Sequence, residues 1–93
     1  MEIMNEKAVA ITIEGRVQNV GFRYHTRKLA QELALTGFVR NRGDGSVHVE
    51  AQGPADAIES FVIWCHQGPS RARVDRVLVQ EIPTGDYAGF VVR

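Results

Sequence analysis

The chain has 93 residues, 44% hydrophobic and 24% charged, a composition that fits an ordinary globular fold built on one core and leaves no room for a second. Lysine plus arginine and aspartate plus glutamate number 11 each, so no global basic field exists to hold nucleic acid or an anionic membrane, and any bound anion must be gripped locally. The single cysteine, Cys65, cannot close an internal disulfide, and the opening MEIMNEKAVAI lacks the apolar stretch of a signal peptide or membrane span. We therefore expect one cytoplasmic domain over residues 1–93, with a monomer as the default state.

Residues 8–14 alternate Val9, Ile11 and Ile13 with Ala8, Ala10 and Thr12, the two-residue period of a strand. From Phe22 to Leu35 the apolar positions Phe22, Leu29, Ala30 and Leu33 recur near a helical period, and Gly37 just beyond predicts a left-handed cap. The runs GFVRN and SVHVEAQ, joined by RGDG, read as a hairpin, with Val47, Val49 and Ala51 on one side and His48, Glu50 and Gln52 on the other. After Gly53-Pro54, the residues Ile58, Phe61, Val62 and Cys65 follow a helical i, i+3, i+4, i+7 spacing until Gly68-Pro69. Cys65 on that apolar stripe reads as a small buried hydrophobe. Val74 to Ile82 is rich in branched aliphatics and reads as a strand, with a short final strand from Gly89 to Arg93.

The order β-α-β-β-α-β predicts a ferredoxin-like α+β sandwich, an antiparallel sheet with both helices packed on one face. That architecture hosts enzymes, metal carriers and RNA-binding modules, so it does not assign a function.

Chemistry concentrates between the first strand and the first helix. Gly15-Arg16-Val17-Gln18-Asn19-Val20-Gly21-Phe22 is a glycine-bearing loop feeding into a helix start, where unpaired N–H groups and the positive dipole end favour an anion. Arg23 adds a planar, permanently charged fork suited to two phosphate oxygens. The competing reading is an ordinary surface loop followed by a surface arginine.

The run from Ile13 to Arg23, IEGRVQNVGFR, resembles the first acylphosphatase signature, G-x-V-Q-G followed by a hydrophobic residue, a variable one, an aromatic and arginine. The second signature is matched by Gly37 to Val47, GFVRNRGDGSV, with Gly53 at the expected later distance. The similarity runs from Val9 to Arg93. It departs at Asn19, where the family most often has glycine; asparagine tolerates a left-handed backbone best after glycine, so the loop is expected to keep its shape.

The resemblance implies hydrolysis of the carboxyl–phosphate bond of small acyl phosphates such as acetyl phosphate, with no cofactor. It implies that Arg23 holds the phosphoryl group together with the loop Gly15, Arg16, Val17, Gln18, Asn19, Val20, Gly21 and Phe22, and that Asn41 orients the attacking water. Inorganic phosphate or sulfate is expected as a ligand of the same loop. An amide can hold a water but not deprotonate it. The leaving carboxylate, with a pKa near 4 like a free acidic side chain, departs without a proton, which favours acyl phosphates over phosphate esters.

His25, His48 and His66 fall on different expected elements, none at a metal-ligand spacing with cysteine or a carboxylate, so no metal site is expected. His25 reads as a solvent-facing helix residue and Asp44, between two glycines, as a turn former. An RNA-binding module of the same element order would stack bases on strand aromatics, and SVHVEAQ has none. A protein that uses the loop only to sense an anion is separated from an enzyme by turnover.

Overall fold

The computed structural model describes residues 5–93. The elements run β1 (Glu6–Arg16), α1 (Phe22–Glu32), β2 (Thr36–Asn41), β3 (Val47–Pro54), α2 (Ala55–Gln67), β4 (Arg73–Ile82) and β5 (Phe90–Val92), and the strands form one sheet in the order β4-β1-β3-β2-β5. Four strands pair antiparallel, and β5 adds a parallel pair with β2 that makes the sheet mixed.

Strand alternation decides which side is buried. The register sets Ile11 opposite Val49 and Ile13 opposite Val47, so Val9, Ile11, Ile13, Val39, Val47, Val49 and Ala51 share the face that both helices cover. Phe22 and Ala30 of α1, Ile58, Phe61 and Cys65 of α2, and Phe90 of β5 complete one core. Burying an isoleucine or phenylalanine in this way contributes about 1.5–3 kcal/mol each. Burial pushes the Cys65 thiol up to about 12, so it stays protonated at neutral pH and packs as the expected hydrophobe.

Helix α1 ends sooner than the sequence period suggests, and Gly37 is not its cap. Ala34 takes the left-handed conformation at φ 57°. Around it the Leu35 N–H donates to Ala30 O at 2.8 Å and the Ala34 N–H to Gln31 O at 3.1 Å, the paired bonds of a Schellman ending. Gly37 instead lies inside β2 at φ 139°, where a Cβ would come within 1.9 Å of Glu50 O. The glycine is required by the close passage of β3. Likewise β3 continues through Gly53 and Pro54, where the sequence suggested an interruption, because β1 reaches back to Glu6 and pairs with both.

From β4 at one sheet edge, residues 83–89 cross the uncovered face to β5 at the other edge. They are tied down on the way by β3. Gln52 donates to Gly85 O at 3.0 Å and accepts from Gly85 N–H at 2.8 Å, and the Tyr87 hydroxyl donates to Glu50 Oε1 at 2.9 Å. Arg42 Nη2 meets His48 Nδ1 at 2.9 Å; because arginine only donates, Nδ1 accepts, and His48 presents Nε2–H to Glu50 Oε2 at 3.2 Å.

Replacing Ala34 by glycine removes the left-handed strain at the expense of a freer unfolded chain. The expected net gain is about 0.5–1 kcal/mol, or roughly 3–6 °C in Tm, read by thermal unfolding. A second expectation concerns acid. Partial burial pushes the Glu50 carboxyl up, but hydrogen bonds from His48 and Tyr87 and the Arg93 charge outweigh it and hold the group below its ordinary 4.5. A carboxyl lowered by folding adds stability that is present above its unfolded value and lost as pH falls through the folded one. Glu50→Gln should therefore be less stable at neutral pH yet lose less on acidification to about pH 3, as urea midpoints at the two pH values will read.

Candidate active site

At the C-terminal end of β1 the strand does not stop cleanly. Its register against β4 shifts between Glu14 and Gly15, and Gly15, at φ 135°, brings its backbone so close to Arg73 that a Cβ would stand 2.2 Å from the carbonyl oxygen. Such a bulge bends the strand away from its partner and launches the loop over the sheet end. Asn19 then takes φ 62° and Gly21 φ 81°, two left-handed residues that fold the loop back into the first turn of α1. Asparagine at position 19 holds the left-handed backbone expected of it. Gly21 occupies the N-cap position with no side-chain cap, so the first turn of α1 has no side-chain acceptor from its cap residue.

The loop is fastened to the hairpin by one side chain. Gln18 Nε2 donates to Arg42 O at 2.7 Å and to Ser46 O at 3.0 Å. Within the turn the Arg42 N–H reaches Ser46 O at 2.8 Å, and Asp44 Oδ1 accepts from the Ser46 N–H at 2.9 Å and its hydroxyl at 2.6 Å. Those Ser46 bonds, chiefly the hydroxyl one, hold the Asp44 carboxyl below its ordinary range. Asp44 is thus the turn former that its setting between glycines suggested.

Loop, helix start and β2 end together enclose a cleft of about 350 Å³ lined by Val17, Asn19, Gly21, Phe22, Arg23, Tyr24, Arg27, Asn41 and Val92. Arg23 and Asn41, singled out from separate motifs, border the same space. Of the loop, Val17, Asn19, Gly21 and Phe22 line it, whereas Arg16, Gln18 and Val20, with Asn19 and Arg71, line a neighbouring hollow. Gly15 stands outside both, beside the hairpin turn. Gln18 spends its amide donor on the hairpin, so its side chain supports the loop from behind.

Arg23 is exposed and held by the chain end. Its Nη1 donates to Arg93 O at 3.1 Å, and Arg93 is itself fixed by donating its N–H to Val39 O at 2.8 Å and by stacking its guanidinium 4.0 Å over the Phe38 ring. His25 is exposed on the helix, edge-on to Tyr24 at 5.1 Å. Among the described residues no three His, Cys, Asp or Glu side chains come together as a metal site, and no helix is long and apolar enough to cross a membrane.

Sequence reading missed Tyr24, Arg27 and Val92. Helical spacing could have flagged Arg27, one turn beyond Arg23. Nothing local marks Val92, which arrives through a strand pair.

Comparison with known proteins identifies the family. The acylphosphatase family model matches residues 9–92. A curated acylphosphatase of Salinibacter ruber is 51% identical over 100% of this chain and 99% of its own length. The chain belongs to the acylphosphatase family. Acylphosphatases are hydrolases acting on acyl phosphates. Among solved structures, an acylphosphatase from Coxiella burnetii superposes with a TM-score of 0.92 at 43% identity, covering 96% of this chain and 94% of that one. One from Bacillus subtilis gives 0.90 at 35% identity, covering 94% and 98%. The ferredoxin-like fold expected from the element order is thus the fold of this acylphosphatase chain.

Turning the Gln18 amide into a carboxylate tests its fastening role. Gln18→Glu removes both donated bonds and sets an acceptor against two carbonyl oxygens, for an expected loss of about 1–3 kcal/mol in urea unfolding. An unchanged midpoint would mean that the loop does not depend on this contact.

Proposed function

We propose that this acylphosphatase binds the phosphoryl group of an acyl phosphate between Arg23 and the backbone N–H groups of the Gly15–Phe22 loop, and that Asn41 orients the water that attacks phosphorus in line. The carrying observation is that Arg23, Asn41 and the helix start share one cleft with no Asp, Glu or His in its lining.

That lining fits the reaction. A loose phosphoryl-transfer transition state spreads charge over the equatorial oxygens and depends mainly on positioning and neutralisation, which a guanidinium and fixed N–H donors supply. Asn41 Oδ1 accepts a hydrogen bond from the water and so turns the water's lone pair toward phosphorus without removing a proton; both protons stay with the oxygen transferred to the product phosphate, which then equilibrates with solvent. As the P–O bond to the acyl oxygen breaks, the electron pair leaves on a carboxylate that needs no general acid. An ester would leave as an alkoxide, which this cleft has no acid to protonate.

Product phosphate, or sulfate, fits the same cradle and should compete with substrate. Several further readings accompany this one: a single domain over residues 1–93, a monomer in the cytoplasm, no metal and no nucleic-acid partner. The length of 93 residues supports the single domain, the lone cysteine the cytoplasm, the balanced charge the lack of a nucleic-acid partner and the scattered histidines the lack of a metal, with the monomer taken as the default state.

Hydrolysis of benzoyl phosphate in EDTA tests the assignment. Wild type should turn over, and Arg23→Ala and Asn41→Ala should each lose about 100- to 1000-fold in kcat while remaining folded. Arg23→Lys should also be severe, because a point charge cannot replace a bidentate fork. Metal-dependent turnover, or full activity in either alanine variant, would refute these roles.

A further inference from the structure

The cleft contains a second arginine that the chemistry above does not use. Arg27 lies one helical turn beyond Arg23 and is half-buried. Side chains four apart on a helix stand roughly 5–6 Å apart at Cβ and lean toward its N-terminus, so both guanidinium groups belong to one wall. Arg23 is already engaged by Arg93 O. None of the ion pairs among the described residues involves Arg27, and no carboxylate lines the cleft to meet it. A partly desolvated guanidinium without a counter-ion is an unmet demand for an anion.

Beside it the wall is apolar. Val17, Tyr24 and Val92 border the cleft, and Tyr24 leaves 55% of its surface to solvent. An exposed aromatic next to an unpaired cation suits a group with an apolar stem and a charged end.

We propose that Arg27 and Tyr24 form the acyl-group subsite, and that this chain prefers acyl phosphates whose acyl group carries a second anion a few bonds beyond the carbonyl. The stem lies against Val17, Tyr24 and Val92 while the distal anion meets Arg27. This rests on the reading of the cleft as the place of acyl phosphate hydrolysis. Arg27 is a specificity residue in it. A rival use, in which Arg27 adds charge to the phosphoryl group itself, would affect every acyl phosphate alike, and that difference makes the two separable.

The test compares benzoyl phosphate with 3-carboxybenzoyl phosphate in the full-length wild type and in Arg27→Gln. Taking the ratio of the two kcat/KM values within each protein, and then comparing proteins, cancels the intrinsic reactivity of the substrates. The ratio of carboxylated to plain substrate should fall about 5- to 10-fold in Arg27→Gln, mainly through KM. Arg27→Lys should keep part of the preference and Arg27→Glu should lower it further. Rising ionic strength should narrow the wild-type preference. If both substrates are hydrolysed and the ratio is the same in wild type and Arg27→Gln, the subsite is overturned and the hydrolase reading stands, even where both rates have dropped together. If wild type hydrolyses neither substrate, the hydrolase reading fails and takes the subsite with it.

Discussion

The antiparallel register of β1 on β3, carried on to β2, is the constraint on which the site depends. Val47 pairs with Ile13 on one side and with Asn41 on the other, so Asn41 lies two strands from Ile13 at the same end of the sheet. With strands about 4.8 Å apart, that is roughly 10 Å, a gap that the loop after Gly15 can bridge. A slip of one residue would turn Asn41 to the opposite face and bury the polar set of β3 under the helices. The apolar set Val9, Ile11, Ile13, Val47 and Val49 forbids the slip, so the core itself fixes where Asn41 points.

On this frame four residues of the glycine loop divide three tasks. Gly15 lets β1 bulge against Arg73, Asn19 and Gly21 turn the chain back, and Gln18 fastens the loop to the hairpin that begins beside Asn41. A motif that looks like a row of ligand contacts is in large part scaffolding. A loop fastened in this way keeps its backbone in one arrangement, the condition under which fixed dipoles are effective toward developing charge.

The last residues close the arrangement from the other side. β5 runs parallel to β2, bringing Val92 to the cleft and Arg93 O to the Arg23 guanidinium. The chain can reach that edge because residues 83–89 cross the open face, held by Gln52 and Glu50. Polar side chains on the uncovered face of β3 thus guide the segment that leads to the anchor of Arg23.

Alternation in β1 and β3 and helical spacing in α2 determined the layers, since each pattern has one solution that hides its apolar residues. A glycine loop running into a helix start marked Arg23 locally, whereas Asn41 was singled out only by the resemblance of its run to the second motif. Other facts belonged to partners distant in sequence. Gly37 answers to the carbonyl of Glu50 rather than to the helix before it, and Ala34 takes the left-handed cap although its own side chain disfavours it. The Gln18 amide finds its acceptors on the hairpin turn, and Val92 and Arg93 O reach the cleft through a parallel pair at the sheet edge. A sequence records what each residue prefers; which backbone comes within about 3 Å of it is decided by the register of strands far along the chain.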